Sequence, residues 1–177
     1  MSESTKGFSR TIFAKGIKYG GLGNLLLISG LILFYFLFDN VLFNIKNLTV
    51  FIMVIFMFFA VKEFRSQNGN LLMFWQGVFV SISTFLVYVL TSMLIIYIYT
   101  KIIDPGALEI YISFKLESLD KFKEMVGDEK YQAYYQQTKE LNPFTVAIEN
   151  LVTLMYTGIF SAMIIAAVLR KAPGVVQ

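Results

Sequence analysis

The sequence predicts an all-α integral membrane protein with four transmembrane helices and an extramembrane helical hairpin between the third and the fourth. The first observation behind this prediction is composition: 56% of the 177 residues are hydrophobic and 15% are charged, whereas a typical soluble domain has about 25% charged residues. The second is distribution, because the uncharged residues form long blocks and most charged residues lie between them. Together they predict a single compact membrane domain, residues 1–177.

Four blocks are long and apolar enough to cross a bilayer, and the third is the clearest. Residues 71–100 contain no Asp, Glu, Lys or Arg. As a helix with a rise of about 1.5 Å per residue they would extend about 45 Å, beyond the roughly 30 Å of bilayer hydrocarbon. The second block is shorter, and Lys46 and Lys62 at its ends can reach the interface. The predicted spans are residues 19–38, 43–62, 71–102 and 144–169.

A basic segment, residues 1–18, precedes the first span. Its apolar residues recur at roughly helical spacing, so it is either a short helix on the membrane surface or a basic tail beside anionic lipid. Around the start of the first span, Gly16, Gly20 and Gly23 lie close to Asn24. This pattern predicts a close-packing face with a polar contact, and a face that lines a polar path is the alternative.

The second and third spans differ in their polar content. The second has an almost wholly apolar surface with several Met and Phe residues, which predicts a lipid-facing helix without a functional site. The third has small and polar residues largely along one face. This predicts contacts with other helices, because lipid offers hydroxyl groups no partner; a substrate path is the alternative. The residues are Gln76, Gly77, Ser81, Thr84, Tyr88, Thr91 and Ser92.

The segment between the third and fourth spans has the composition of a soluble helical region. Asp104 and Pro105 end the third span, since the residue before a proline is disfavoured in the helical conformation. Residues 105–142 then show apolar positions at helical spacing among charged ones, and Gly127 and Asp128 divide them into two helices. We expect this hairpin to rest on the membrane surface or on the ends of the spans; a docking face for another protein is the alternative.

Six positions are candidates for a functional or structural polar role. Glu149 is the only acid inside a predicted span, which makes it a functional candidate by default, although a place about two turns after Pro143 also fits a structural role at the interface. Arg65 and its neighbours form a basic turn suited either to an anionic head group or to anchoring the topology. Asp104 fits a turn residue better than a catalytic acid. The six are Arg65, Asn68, Gly69, Gln76, Asp104 and Glu149.

The distribution of basic residues predicts the orientation. Lysines and arginines dominate the N-terminal segment, the connection after the second span and the end of the fourth span. These three regions lie on one side of the membrane if the chain crosses it four times. In the predicted hairpin, acidic residues outnumber basic ones. By the positive-inside rule, both termini are cytoplasmic and the hairpin faces the other side.

The residue types that are missing exclude several function classes. The chain has no Cys and no His, which excludes disulfides, thiol nucleophiles, Cys-ligated metals, His-ligated haem and Ser-His pairs. The sequence also has no phosphate-binding glycine loop, cluster of metal ligands or nucleophile-base pair. We therefore expect no catalytic residue, no metal and no cofactor. Topology explains the net charge of +3 better than a nucleic-acid partner does.

Four short motifs in order along the chain resemble a known family. They are Lys18-Tyr19-Gly20, the basic turn Phe64-Arg65 with Asn68-Gly69, the pair Gln76-Gly77 and the end Ile103-Asp104-Pro105. Their order and spacing are similar to those of domain of unknown function family 4199, four-span inner-membrane proteins mainly of Bacteroidota. The resemblance implies the inner membrane of a Gram-negative cell with the hairpin in the periplasm, and it implies no activity. Asn70-Leu71-Leu72 departs from the more polar approach to the third span that the resemblance leads us to expect.

Three functions fit these observations to different degrees. We expect a non-catalytic accessory or scaffold subunit of an envelope complex, with the bilayer and either a second copy or a larger membrane complex as partners. A small oligomeric transporter or lipid-handling protein is the alternative, and it requires an oligomer because four spans leave little room for a pore. A membrane enzyme is the least favoured, since acids such as Glu63 and Glu149 lie at opposite faces of the membrane in the predicted topology.

Overall fold

A computed structural model describes the backbone of residues 3–171 and the side chains of residues 10–125 and 127–171. Residues 3–171 contain no β-strand, and one isolated antiparallel bridge joins Leu72 to Lys171. A π-helical turn, Tyr99–Ile103, extends the third long helix. The helices are α1 (Glu3–Leu37), α2 (Val41–Gln67), α3 (Phe74–Ile98), α4 (Gly106–Lys121), α5 (Lys123–Val126), α6 (Asp128–Lys139) and α7 (Pro143–Leu169).

Four of these helices are long and apolar enough to cross a membrane, which indicates a multi-pass membrane protein. The prediction of an all-α protein with four such helices is confirmed. Their bounds differ from the predicted spans mainly at α1 and α2, which are longer. Residues 1 and 2 of the predicted basic segment, and the C-terminal residues 172–177, lie outside the described part of the chain. The apolar helices are Arg10–Leu37, Val41–Gln67, Phe74–Ile103 and Pro143–Leu169.

The basic residues before the first predicted span continue the same helix. The sequence favours either a separate surface helix or a tail, whereas the structure places residues 10–18 within α1. Gly16 lies against α3, where a Cβ atom would be 2.9 Å from the backbone carbonyl oxygen of Ser83. The Lys15 ammonium group lies 2.7 Å from the Glu63 carboxylate on α2. These contacts hold the basic part of α1 against the other helices.

The four long helices pack so that α2 and α3 are central. Each of these two contacts the other and also α1 and α7. Glycines permit the closest approaches: a Cβ atom at Gly20 would be 2.8 Å from the Val87 side chain, and one at Gly158 would be 2.6 Å from the Phe85 ring. The predicted close-packing role of Gly20 is therefore confirmed.

The polar face of α3 is buried against neighbouring helices, as predicted, except at Gln76, which is half-buried, and at Thr91, which is exposed. The Tyr88 hydroxyl donates to the carbonyl oxygen of Thr49 on α2 at 3.1 Å. The Asn24 amide on α1 donates to the carbonyl oxygen of Tyr88 at 3.2 Å. These bonds connect α1, α2 and α3 through polar groups in the interior. The other buried members of this face are Gly77, Ser81, Thr84 and Ser92.

The prediction that α2 is a lipid-facing helix is wrong. Met53 and Met57 are fully buried, because α2 packs against α1, α3 and α7 at once. Only part of its surface, including Phe59, is exposed. Charged side chains near the two ends of α2, Lys46 and Glu63, bond to other helices.

Three shorter helices, α4 to α6, connect α3 to α7, and we refer to them as the connecting segment. The Asp104 carboxylate accepts a hydrogen bond from the Ala107 backbone N–H at 3.1 Å, at the start of α4. α4 contacts both α6 and α2. Gly127, with a φ of 82°, separates α5 from α6 as predicted. A further break at Phe122 separates α4 from α5, and the sequence does not predict it.

Candidate functional site

Two clusters of polar side chains lie at opposite ends of the long helices. Each contains one carboxylate, two lysines and one tyrosine. They lie at opposite ends because α2 contributes a residue from its first turns to one cluster and a residue from its last turns to the other. The Glu63 cluster consists of Lys15, Lys18, Tyr19 and Glu63. The Glu149 cluster consists of Lys46, Tyr111, Lys115 and Glu149.

The Glu63 cluster joins α1 to α2. The ammonium groups of Lys15 and Lys18 lie 2.7 Å and 2.8 Å from the Glu63 carboxylate, and the Tyr19 hydroxyl donates to it. The Gln67 side-chain amide is a further donor at 3.2 Å. The carboxylate therefore has four donors, and all of them come from these two helices.

The Glu149 cluster joins α2, α4 and α7. The Glu149 carboxylate accepts hydrogen bonds from Lys46 on α2 at 3.1 Å and from Lys115 on α4 at 2.9 Å. The Tyr111 hydroxyl on α4 donates to the same carboxylate at 3.2 Å and accepts from Lys46 at 2.7 Å. The cluster thus attaches the connecting segment to two of the long helices.

The Glu149 cluster has an excess of positive charge and a tyrosine that keeps its proton. Two ammonium groups and one carboxylate give a formal charge of +1 (2 − 1). Burial, together with the nearby negative charge of Glu149, raises the pKa of Tyr111 above its ordinary value. Tyr111 therefore remains a neutral hydrogen-bond donor at physiological pH.

Two clefts border the Glu149 cluster, and Phe43, Tyr111 and Glu149 line both of them. The first, of about 590 Å³, is lined largely by residues of the connecting segment. The second, of about 520 Å³, is a groove between α2 and α7, and its lining includes the apolar side chains Val50 and Val152. We refer to this second cleft as the α2/α7 groove.

Three of the six sequence-predicted positions lie at the turn between α2 and α3, near the Glu63 cluster. The Arg65 guanidinium donates to the carbonyl oxygen of Leu169 at 3.3 Å, which ties this turn to the end of α7. The Asn68 side chain donates to the carbonyl oxygen of Leu71 at 3.0 Å. Gly69 has a φ of 63°, in the left-handed region that favours glycine.

The remaining three positions do not join these into one site. Gln76 accepts a hydrogen bond from the Met73 backbone N–H at 3.0 Å, at the start of α3 and thus near the Glu63 end. Asp104 and Glu149 lie at the other end, where Asp104 also accepts from the Tyr99 hydroxyl at 3.1 Å. Within the described residues, no three His, Cys, Asp or Glu side chains lie close enough together to hold a metal ion.

The sequence prediction missed the partners of Glu149. It names Glu149 as a candidate but does not pair it with Lys46, Tyr111 or Lys115, which the structure brings to it from 103, 38 and 34 positions away. One signal was present: Tyr111 and Lys115 are four residues apart and therefore share a helix face. An acid inside an apolar block also requires a donor from another helix, but the sequence does not say which lysine provides it.

A comparison with protein families identifies the family of this chain. The family model described as Protein of unknown function (DUF4199) matches residues 18–171. The chain belongs to this family. The DUF4199 match contains all of the Glu149 cluster and all of the Glu63 cluster except Lys15, so both clusters lie almost wholly within the family region. The comparisons with curated proteins and with solved structures give no match.

Proposed function

We propose that this protein is a non-catalytic accessory or scaffold subunit of a membrane complex in the bacterial cell envelope. In this proposal the protein lies in the inner membrane with both termini in the cytoplasm. The connecting segment is then a helical hairpin in the periplasm. The protein carries out no reaction and binds no cofactor; it positions a partner subunit.

The observation that carries the proposal is that the polar candidates bond to the fold itself. Arg65 and Gln76 bond to backbone groups at helix ends, Asn68 bonds to a backbone group in the turn between α2 and α3, and Asp104 bonds to the backbone at the start of α4. Glu149 accepts from three side chains of other helices. Bonds of this kind satisfy helix ends and fix how helices pack, which is the role of a structural subunit.

The connecting segment offers a surface that a partner subunit would cover. Phe122 and Met125 are 54% and 82% exposed, although they lie outside the apolar helices. Large exposed apolar side chains among polar ones are typical of protein interfaces. The Glu149 cluster and the contact between the Phe43 and Phe114 rings, whose centres are 4.5 Å apart, hold this surface in one orientation on the long helices.

Basic residues support the proposed orientation. Lys62 and Arg65 lie near the end of α2, and Arg170 and Lys171 follow α7. The hydrogen bond from Arg65 to the carbonyl oxygen of Leu169 places the ends of these two helices side by side. By the positive-inside rule, this end of the protein faces the cytoplasm.

Cysteine accessibility tests the orientation directly, because the natural chain has no Cys. Gln132→Cys on α6 and Ser66→Cys near the end of α2 both introduce a thiol at an exposed position. In intact cells whose outer membrane has been permeabilised, a membrane-impermeant thiol reagent should label Gln132→Cys and not Ser66→Cys. Labelling of Ser66→Cys alone would indicate the opposite orientation.

Extraction in native lipid patches tests the accessory role. Mass measurement should show the chain with a stoichiometric membrane partner. The double variant Phe122→Ser/Met125→Ser should lose this partner at an unchanged melting temperature, because both side chains are exposed. Gln132→Ser/Gln136→Ser alters exposed polar positions of the same segment and, as the matched control, should retain it.

A lone homo-oligomer that carries a specific lipid would contradict the accessory role. Retention of the partner by Phe122→Ser/Met125→Ser would contradict the docking surface on the connecting segment. The first of these results would favour the second candidate, a small oligomeric transporter or lipid-handling protein.

A further inference from the structure

The α2/α7 groove combines a charged end with apolar walls. Lys46 on α2 and Glu149 on α7 form the charged end. Val50 follows Lys46 by about one turn of α2, and Val152 follows Glu149 by about one turn of α7. Both helices belong to the set that can cross a membrane. A ligand in this groove therefore meets the Lys46 ammonium group at one end and hydrocarbon side chains along its length, while Lys115 lines the neighbouring cleft.

The net positive charge of the Glu149 cluster favours the binding of an anion. Its formal charge of +1 comes from two lysines that share one carboxylate. The side chains of Lys46 and Lys115 are 18% and 33% exposed, so both ammonium groups are partly accessible from the clefts. An additional anionic oxygen would neutralise the excess charge and would accept charge-assisted hydrogen bonds.

The lining of the groove contains a buried side-chain amide whose nitrogen donates no hydrogen bond within the described part of the chain. Asn150 is 2% exposed and follows Glu149 directly. Its side-chain oxygen is 3.5 Å from the Thr49 hydroxyl, whereas its side-chain nitrogen has no hydrogen-bond partner within the described part of the chain. Buried donors are normally paired with protein, water or ligand, so the lining of the groove has hydrogen-bonding capacity to spare.

We propose that the Glu149 cluster binds the phosphate of an anionic phospholipid, with Lys46 and Lys115 as its contacts and an acyl chain along the α2/α7 groove. The head group lies at the membrane surface on the Glu149 side, where a lipid of that leaflet reaches it without leaving the bilayer. Tyr111 positions the Lys46 ammonium group, and the Glu149 carboxylate competes with the phosphate for both ammonium groups. This inference does not depend on the accessory role, because a structural subunit and a transporter can each bind a lipid in this way.

Native mass spectrometry of the detergent-purified protein tests the inference, with phosphatidylglycerol, zwitterionic phosphatidylcholine and inorganic phosphate as probes. Phosphatidylglycerol should be retained in preference to phosphatidylcholine. Lys115→Met should weaken its binding about tenfold, the change expected for one charge-assisted hydrogen bond. Lys101→Met is the matched control, because Lys101 lies at the same end of the protein but bonds to Tyr97. This variant should bind phosphatidylglycerol as tightly as the natural protein does.

Glu149→Gln separates ligand binding from a purely structural cluster. The variant removes the competing carboxylate and raises the formal charge of the cluster from +1 to +2 (2 − 0). It should lower the melting temperature and bind phosphatidylglycerol more tightly, by roughly threefold to tenfold. A cluster that only holds helices together would show the lower melting temperature without the tighter binding.

Three further results would overturn the inference. Equal retention of phosphatidylcholine and phosphatidylglycerol would mean that the groove binds lipid without using its charge. Equal binding by Lys115→Met and Lys101→Met would remove the proposed contact. Inorganic phosphate that binds as tightly as phosphatidylglycerol would assign the site to a free anion instead of a lipid.

Discussion

The Glu63 cluster and the Glu149 cluster contain the same groups but do different work. In the Glu63 cluster every donor comes from α1 or α2, which also pack against each other through the bundle. In the Glu149 cluster the donors come from α2 and α4 and the acceptor from α7. The first cluster reinforces a contact that helix packing already makes, whereas the second attaches the connecting segment to the long helices.

The difference shows that the position of an ion cluster decides its importance more than its composition does. α1 has extensive additional contact with α3, where Gly16 and Gly20 allow close approach. α4 has less contact with the long helices: besides the Glu149 cluster, the buried Ala107 in its first turn and the ring contact of Phe114 with Phe43 attach it. Loss of the same type of group should therefore have unequal consequences at the two ends.

The largest effect should come from Glu149→Ala. This change leaves the mostly buried Lys46 and the half-buried Lys115 without their carboxylate and removes the acceptor of the Tyr111 hydroxyl. We expect a loss of about 2–3 kcal/mol in the attachment of α4, which is an increase of thirtyfold or more in its opening equilibrium. Hydrogen–deuterium exchange of the α4 amides measures it.

Glu63→Ala is the matched comparison. Because α1 keeps its packing against α3, the exchange of α1 amides from residue 10 to residue 37 should rise less than that of α4 in Glu149→Ala. If both variants open their segments equally, the clusters are equivalent and the comparison fails.

Packing at the Glu63 end provides the next largest effect. A Cβ atom at Gly16 would be 2.2 Å from the Ser83 hydroxyl oxygen and 2.9 Å from its carbonyl oxygen. Gly16→Leu should therefore separate α1 from α3 and lower stability by about 2 kcal/mol, measured as a lower melting temperature in detergent. Gly21→Leu is the control, since a Cβ at Gly21 has no neighbour within 4 Å. Equal melting temperatures for the two variants would show that glycine packing does not hold this end.

The sequence was sufficient to predict four apolar helices but not which side of each contacts protein. Long uncharged blocks mark a helix that can cross a membrane. Met53 and Met57 on α2 are buried, yet the same residue types would suit lipid equally well, because lipid is as apolar as a protein core. The prediction for α2 failed for this reason. The prediction for Gly20 was correct because small residues in membrane-spanning helices favour close approach of another helix.

Long-range pairing explains what the sequence could not predict about the candidate site. Glu149 was identifiable because an acid inside an apolar block is costly. Lys46 lies 103 positions away, and no periodicity relates the two residues. Glu63 was likewise visible as a charged residue near a helix end, but its pairing with Lys15 depends on α1 extending beyond the predicted span.

The smallest effect concerns the tyrosine of the Glu149 cluster and its dependence on pH. Burial and the Glu149 charge raise the pKa of Tyr111 above its ordinary value of 10.0. The contribution of the hydroxyl to stability is therefore complete below about pH 10 and is lost as the pH rises toward the folded-state pKa. Tyr111→Phe, which lacks this hydroxyl, should be less stable than the natural protein by about 1 kcal/mol at neutral pH.

The difference in stability between Tyr111→Phe and the natural protein should narrow as the pH increases above about 10, because ionisation of Tyr111 in the unfolded state then favours unfolding of the natural protein only. Melting temperatures at a series of alkaline pH values measure this difference, and the two proteins share every other titrating group. A difference that stays constant or widens would mean that the Tyr111 hydroxyl does not stabilise the attachment of α4. In that case the difference between the two clusters would rest on their lysines alone: Lys46 and Lys115 belong to different helices, whereas Lys15 and Lys18 both belong to α1.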